Sequence, residues 1–287
     1  MRHTGLIVLS FGSILVLAAC GDRPPTEAQV ERALQDIDVI DDSNLHDVML
    51  TVADPAEAVA HFAAALQRNP DRIDLSRGLA RSLVRAQNPV EGAEAWRKVV
   101  AHPEHTFDDR VMLADALIRS NQWDAAKAEL NQIPPTHETF DRYRIEALVA
   151  DAQQDWKKAD SFYEIAVGLT TRPAGVLNNW GFSKLSRGEP AAAEALFIEA
   201  LTFDPGMFTA KNNLVLARAA QRNYDLPVVR MTQKERAELL YTMAIAAIKQ
   251  GDVNVGKGLL QHAIDTHPQH FEAAVRSLEA FDSNVQL

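Results

Sequence analysis

A single cysteine in 287 residues rules out any disulfide within the chain. A basic block is also missing. Lys and Arg number 29 against 39 Asp and Glu, a formal charge of −10, which argues against a nucleic-acid partner. The sequence contains no glycine-rich phosphate loop, no nucleophile elbow and no paired-histidine zinc signature, so the expectation is a chain that is not an enzyme and takes no cofactor. Runs of β-branched residues are scarce and alanine is abundant, which points to helices. The length fits one large domain or an elongated array.

The first residues read as a targeting segment. Arg2 and His3 precede an apolar run over residues 6–19 that is short for a membrane span and ends in small residues. Leu17-Ala18-Ala19-Cys20 resembles a bacterial lipobox. That resemblance implies cleavage before Cys20, a diacylglycerol on its thiol and an acyl chain, such as palmitate, on the new amine. The other reading is an ordinary cleaved signal with an incidental cysteine. The residue after Cys20 is Gly21, not Asp, which by the same resemblance favours the periplasmic face of the outer membrane. Residues 21–26, with Pro24-Pro25, read as a short tether.

Self-similarity organises the rest. A small residue recurs at Ala58, Gly92, Ala126, Ala159 and Ala193, at intervals of 34, 34, 33 and 34 residues. A large residue follows each at Phe62, Trp96, Leu130, Tyr163 and Phe197. A third member stands at Ala65, Val99, Ile133, Ala166 and Ala200. A later copy is Gly256, Leu260 and Ala263, and Pro70, Pro205 and Pro268 close three of the units. Helices packed about 8–10 Å apart leave space only for Ala or Gly where they cross, with a bulky neighbour filling the adjacent groove. The period and pattern resemble the tetratricopeptide repeat, a pair of antiparallel helices. The expected fold is all-α: a right-handed superhelical solenoid of about five to seven helical pairs.

Two departures stand out. Glu146 occupies the large apolar slot of the fourth unit's first helix, so that unit either packs less regularly or bonds the charge. After the helix from Phe208 to about Arg222, the expected partner helix is missing: residues 225–231 contain Pro227 and Val228-Val229 and lack the packing triplet, so they should be extended. Either Leu226, Val228 and Val229 plug the gap or a partner docks there. Thr232-Gln233-Lys234-Glu235 has the capping-box form and starts a new helix. The expected organisation is a signal peptide over 1–19, then lipidated Cys20 with a tether and short helix over 20–42. A repeat array over 43–207, an irregular unit over 208–236, and a C-terminal repeat with a capping helix (His270 to Phe281) over 237–287 follow.

A lipobox with tetratricopeptide-type repeats occurs in several envelope families. Leu177-Asn178-Asn179-Trp180-Gly181, Lys211-Asn212-Asn213-Leu214 and the irregular segment after Tyr224 are most similar to the TadD lipoproteins of the tight-adherence (Flp) pilus system. That resemblance implies an interaction scaffold with envelope partners such as a pilus secretin or other Tad components, and membrane contact through the lipid anchor only. An outer-membrane biogenesis or cell-wall enzyme adaptor is the alternative reading. A periplasmic metal hydrolase using His262, His267 and His270 is the remote one, since those residues read more simply as solvated groups at a repeat boundary, as do His102 and His105.

In the family the first helices line the concave surface. Arg77, Arg81 and Arg85 recur every four residues as one stripe, suited to an acidic segment or a chain carboxylate, or else to pairing with the next helix through Asp108 and Asp115. Asn178-Asn179 and Asn212-Asn213 occupy equivalent places, suited to an extended peptide backbone or to bonds between helices. Trp96, Trp180 and Tyr163 fall in packing slots and read as core.

Overall fold

Residues 45–283 are described by a computed structural model of the chain. The lipobox, Cys20 and the tether lie outside the described residues. Residues 45–51 form a short helix whose end is closed by Val52 and Ala53 amides donating to the Val48 carbonyl. They belong to an N-terminal unit separate from the one that begins at Asp54.

The larger unit is entirely helical among its described residues. Its helices are α1 (Pro55–Arg68), α2 (Ile73–Arg85), α3 (Pro89–Ala101), α4 (Phe107–Arg119), α5 (Trp123–Leu130), α6 (Phe140–Ala152) and α7 (Trp156–Gly168). Then follow α8 (Ala174–Ser186), α9 (Pro190–Phe203), α10 (Phe208–Ala220), α11 (Gln233–Lys249), α12 (Val253–Thr266) and α13 (Glu272–Ser283). First helices (α2, α4, α6, α8, α10, α11) alternate with second helices, each packed on its sequence neighbours, as in a solenoid.

The sequence marks these helices at both ends. Pro55, Pro89 and Pro190 stand at the starts of second helices, where a missing N–H costs no hydrogen bond. Asp54, Thr106, Thr139, Asp155 and Thr232 each accept a backbone N–H of the first turn. Each first helix from α2 to α11 ends in one residue of positive φ: Gln87, Asn121, Gln154, Gly188, Arg222 and Gly251. Where a second helix follows, it begins two residues later.

The packing triplets lie where the spacing puts them. Ala58, Phe62, Trp96, Val99, Ala126, Ala159, Tyr163, Ala166, Ala193, Phe197, Ala200, Leu260 and Ala263 are all buried. The crossings are too close for any added carbon at the glycines: a Cβ on Gly78 would stand 2.3 Å from the Phe62 ring, and one on Gly181 would stand 2.6 Å from the Phe197 ring. Glu146 is accommodated by bonding. Arg142 donates to it at 2.8 Å and also to the carbonyls of Pro134 and His137, tying the longer α5–α6 loop to the fourth unit.

The sixth unit has its first helix, α10, and no second one. Arg222 keeps the left-handed turn, so a second helix would start at Tyr224. Pro227 would then fall in the fourth helical position, where its ring clashes and a hydrogen bond is lost. The chain instead runs irregularly to Thr232. Pro227 is buried, Leu226 packs on the α11–α12 core and Val229 on the α8–α10 core. Val228 does not plug the gap: it is 104% exposed. Across residues 226–229, Leu226, Pro227 and Val229 turn inward and Val228 alone turns out. Arg222 and Tyr224 both bond Asp252, fastening the segment to the start of α12. The capping box at Thr232 and Glu235 is formed, and the C-terminal helix runs two residues later than expected, over Glu272–Ser283.

Candidate functional site

The first helices carry polar side chains at equivalent positions, and most of these bond the next first helix. Arg77 on α2 grips Asp109 on α4 with two hydrogen bonds of 2.8 Å, from Nε and Nη2, and Nη2 also donates to the Glu104 carbonyl at 3.2 Å. On α4, Asp115 accepts from Arg144 of α6 at 3.2 Å. Asp151 of α6 accepts from Ser183 of α8 at 2.6 Å and from the Tyr163 hydroxyl at 2.7 Å. Asn213 of α10 donates to Asn178 of α8 at 3.0 Å. Asn212 accepts from Thr242 of α11 at 2.9 Å, and the buried Lys211 reaches Glu235 at the same distance. The outcome is a ladder of polar bonds running from helix to helix.

Asp109 shows the electrostatic consequence. Burial pushes its carboxyl up, but the Arg77 guanidinium and the bonds from Thr106 outweigh it and hold the group below the ordinary 3.8. For Tyr163, burial and the Asp151 carboxylate act together and push the phenol up.

This geometry revises the stripe expected on α2. Arg77 is engaged with Asp109, not with Asp108 or Asp115, so it is a structural cross-link. Asp108 instead meets His137 at 2.8 Å. Arg81 is exposed, and no carboxylate among the described residues lies within ion-pairing distance of it. Arg85 is half-buried beside it. The asparagine pairs divide likewise. Asn178, Asn213 and Asn212 are engaged between helices, whereas Asn179 lines a pocket.

Besides a pocket of about 360 Å³ whose lining Arg81 shares with Asp108, Asp109 and Asp141, two pockets open between first helices. One, of about 430 Å³, lies between α2 and α4 over Val84, Trp96 and Met112, and is rimmed by Arg81, Arg85, Asp115 and Arg119. The other, of about 310 Å³, lies between α6 and α8, walled by Leu148, Trp123, Trp156 and Phe182 with Asn179 at its edge. Phe182 is 56% exposed there, a large apolar side chain held out of the core. Phe182 belongs to no motif, because a lone exposed apolar residue carries no pattern. Its signal is positional: it stands where the two preceding first helices carry Asp115 and Leu148. Trp96 and Tyr163 are core at 1% and 0% exposure, while Trp180 is half-buried and donates to Asp160 at 2.6 Å.

Among the described residues, no group of three or more His, Cys, Asp or Glu side chains is placed to hold a metal ion. His262 and His270 are exposed, and His267 caps α12 and packs on Phe271. His102 and His105 sit in the α3–α4 loop, where the His105 ring meets the His102 carbonyl.

A family model described as tetratricopeptide repeat matches residues 50–105. No curated protein matches the chain. Among solved structures, the APC/C hetero-tetramer Cut9-Hcn1 aligns with a TM-score of 0.59 at 12% identity, over 83% of this chain and 47% of that one. The chain thus spans about half the length of that match. A tetratricopeptide repeat protein from Parabacteroides merdae aligns at 0.52 and 12% identity, over 87% of this chain and 97% of that one. Pseudomonas aeruginosa pilF aligns at 0.51 and 15% identity, over 76% of this chain and 99% of that one. These likenesses show the fold, a tetratricopeptide-repeat solenoid.

Proposed function

We propose that this tetratricopeptide-repeat chain is a lipid-anchored, non-catalytic scaffold on the periplasmic face of the bacterial outer membrane, serving assembly of the Flp/Tad pilus machine. The fold itself implies protein partners. The observation that carries the reading is a surface of packed first helices whose polar groups brace the array while two pockets remain open beside it. The sequence Leu17-Ala18-Ala19-Cys20 supports the anchor, and the Asn-Asn motifs with the irregular segment after Tyr224 support the kinship with TadD lipoproteins. Several acyl chains at about 0.8 kcal/mol per buried methylene would hold the protein firmly at the membrane. Envelope proteins, a pilus secretin among them, are the partners of this reading.

Crosslinking in intact cells, followed by mass spectrometry of the captured proteins, tests it. Secretin and other Tad components should dominate the captured set. Capture of outer-membrane biogenesis or cell-wall enzymes in their place would overturn the pilus role and leave a scaffold of another machine. Cys20→Ser tests the anchor separately: the protein should be unprocessed or soluble, and unchanged fractionation with outer membranes would refute lipidation.

A further inference from the structure

The two open pockets are the same site on the repeat, displaced by two units. Every first-helix residue lining the α6–α8 pocket that has a counterpart in the α2–α4 pocket lies 67 residues after it: Leu148 answers Arg81, Asp151 answers Val84, Ala152 answers Arg85, Asn179 answers Met112, Phe182 answers Asp115 and Ser186 answers Arg119. Their floors correspond too, Trp96 with Tyr163. The geometry is repeated and the chemistry is reversed. The first pocket has three guanidinium groups and one carboxylate at its rim, and that carboxylate, Asp115, is already bonded by Arg119 and Arg144. The second is lined by Leu148, Ala152, Phe182 and aromatic rings, with no cation; its one carboxylate, Asp151, is bonded by Ser183 and Tyr163, and the Asn179 amide can bond a backbone without regard to sequence.

Resting on the scaffold reading, we infer that this face binds one extended partner segment carrying a carboxylate and, about six residues away, a large apolar side chain. The carboxylate meets Arg81 and its neighbours, and the apolar side chain enters the pocket beside Phe182. The spacing follows from the array. Packed helices are separated by about 8–10 Å, so two repeats place the pockets roughly 20 Å apart. An extended chain covers about 3.3 Å per residue, and six residues span that distance. The occupant is argued from charge complementarity at one end: Arg81 is exposed and forms no ion pair among the described residues, although Asp108, Asp109 and Asp141 share a pocket lining with it, whereas Arg77, four residues earlier, is engaged by Asp109.

The test is fluorescence anisotropy of the full chain with labelled ten-residue peptides of Ser, Thr and Gly carrying one Asp and one Leu. The Asp–Leu spacing is set at two, four or six in either order. The six-residue spacing in one order should bind about tenfold more tightly than the two-residue spacing. Arg81→Gln should lower its affinity about tenfold and flatten its salt dependence. Phe182→Ala should lower affinity with the salt dependence unchanged. Both side chains are exposed, so both variants should keep the parental unfolding curve. Equal affinity at all spacings, or no effect of either substitution, would overturn the inference. The two readings fail separately: if the parent chain captures no envelope protein in cells the scaffold reading falls, whereas if it does and Arg81→Gln and Phe182→Ala leave the captured set unchanged, the scaffold stands and this face is not its docking site.

Discussion

Two glycines in one helix should respond to the same substitution with opposite signs. Gly256 and Gly258 are neighbours on α12, two residues apart. Alanine at either position removes glycine's backbone freedom and contributes about 0.5–1 kcal/mol of helix stability. At Gly258 nothing lies within 4 Å of the added carbon, so that gain stands alone and Gly258→Ala should stabilise. At Gly256 the same carbon meets Ile248 Cγ1 at 2.3 Å and the Ala244 carbonyl oxygen at 3.0 Å. Ile248 can turn aside at a cost, but the carbonyl is fixed in the hydrogen-bonded backbone of α11. Overpacking of this kind costs about 1–3 kcal/mol. The net for Gly256→Ala is therefore a loss of up to about 2 kcal/mol, and the two variants should differ by the overpacking cost, about 1–3 kcal/mol.

Equilibrium urea unfolding followed by circular dichroism reads the difference. Amide exchange within α11 and α12 localises it, since a repeat array can lose its ends before its middle. If both variants are stabilised, the crossing of α11 and α12 is looser than described and the small-residue rule does not set the register here. If both are destabilised, the helix itself and not the crossing is responding.

Other perturbations probe separate parts of the argument. Gln154→Gly, at φ 59° in the α6–α7 turn, should raise stability by about 1 kcal/mol in urea titrations, and a loss would show that the Gln154 side chain has a role in the turn. Arg77→Ala leaves Asp109 buried without its cation and should cost about 3 kcal/mol, at the low end for an orphaned charge because Arg77 is partly exposed. Asp109 has a folded pKa below its unfolded value near 3.8, so its pairing stabilises fully above that pH and is lost as pH falls through the lower folded value. Asp109→Asn should accordingly flatten the acid limb of stability against pH, and an unchanged limb would place the sensitivity elsewhere. Leu226→Ser and Val229→Ser should each destabilise by about 1–3 kcal/mol, while Val228→Ser should change stability by less than about 0.5 kcal/mol. Equal losses at all three would contradict the outward placement of Val228.

The repeat was legible because its signal is steric. Wherever two helices cross closely, only Ala or Gly fits, and the aromatic or leucine four residues on must fill the groove, so spacing alone located Ala193 and Phe197. The engaged state of the polar residues was far less legible. Whether an arginine on α2 meets Asp108 or Asp109 depends on one residue of register, about 100° of rotation around α4. A local motif fixes that register: Thr106 and Asp109 form a capping box, which turns Asp109 inward and Asp108 out to His137. Thr-Phe-Asp-Asp was readable as that motif, and it would have assigned the partner of Arg77 before any coordinates. The pairing of Asn178 with Asn213 was one of two open readings because both use the same amide chemistry; only the distance between α8 and α10 separates them.

The missing second helix of the sixth unit shows how local and long-range terms divide the fold between them. Its turn is built as in every other unit, with Arg222 in the left-handed region although it is not glycine. That conformation costs about 1–2 kcal/mol, and the bonds of the largely exposed Arg222 to Asp252 at 2.7 Å offset only part of it. Those bonds join the turn to the N-terminus of α12, two helices away in sequence, and Tyr224 adds a third. Proline at position 227 then blocks the helix locally, and the long-range bonds keep the chain close enough for Leu226 and Val229 to reach separate cores. Propensity alone accounts for the absence of the helix. The path the segment takes instead is set by Asp252, whose carboxylate stands at the start of α12, where the helix dipole also favours negative charge. The segment therefore fills the place of a full helix with backbone and a few side chains, held by Asp252 from the following unit, by the Arg218 bond to the Asp225 carbonyl and by the packing of Leu226 and Val229.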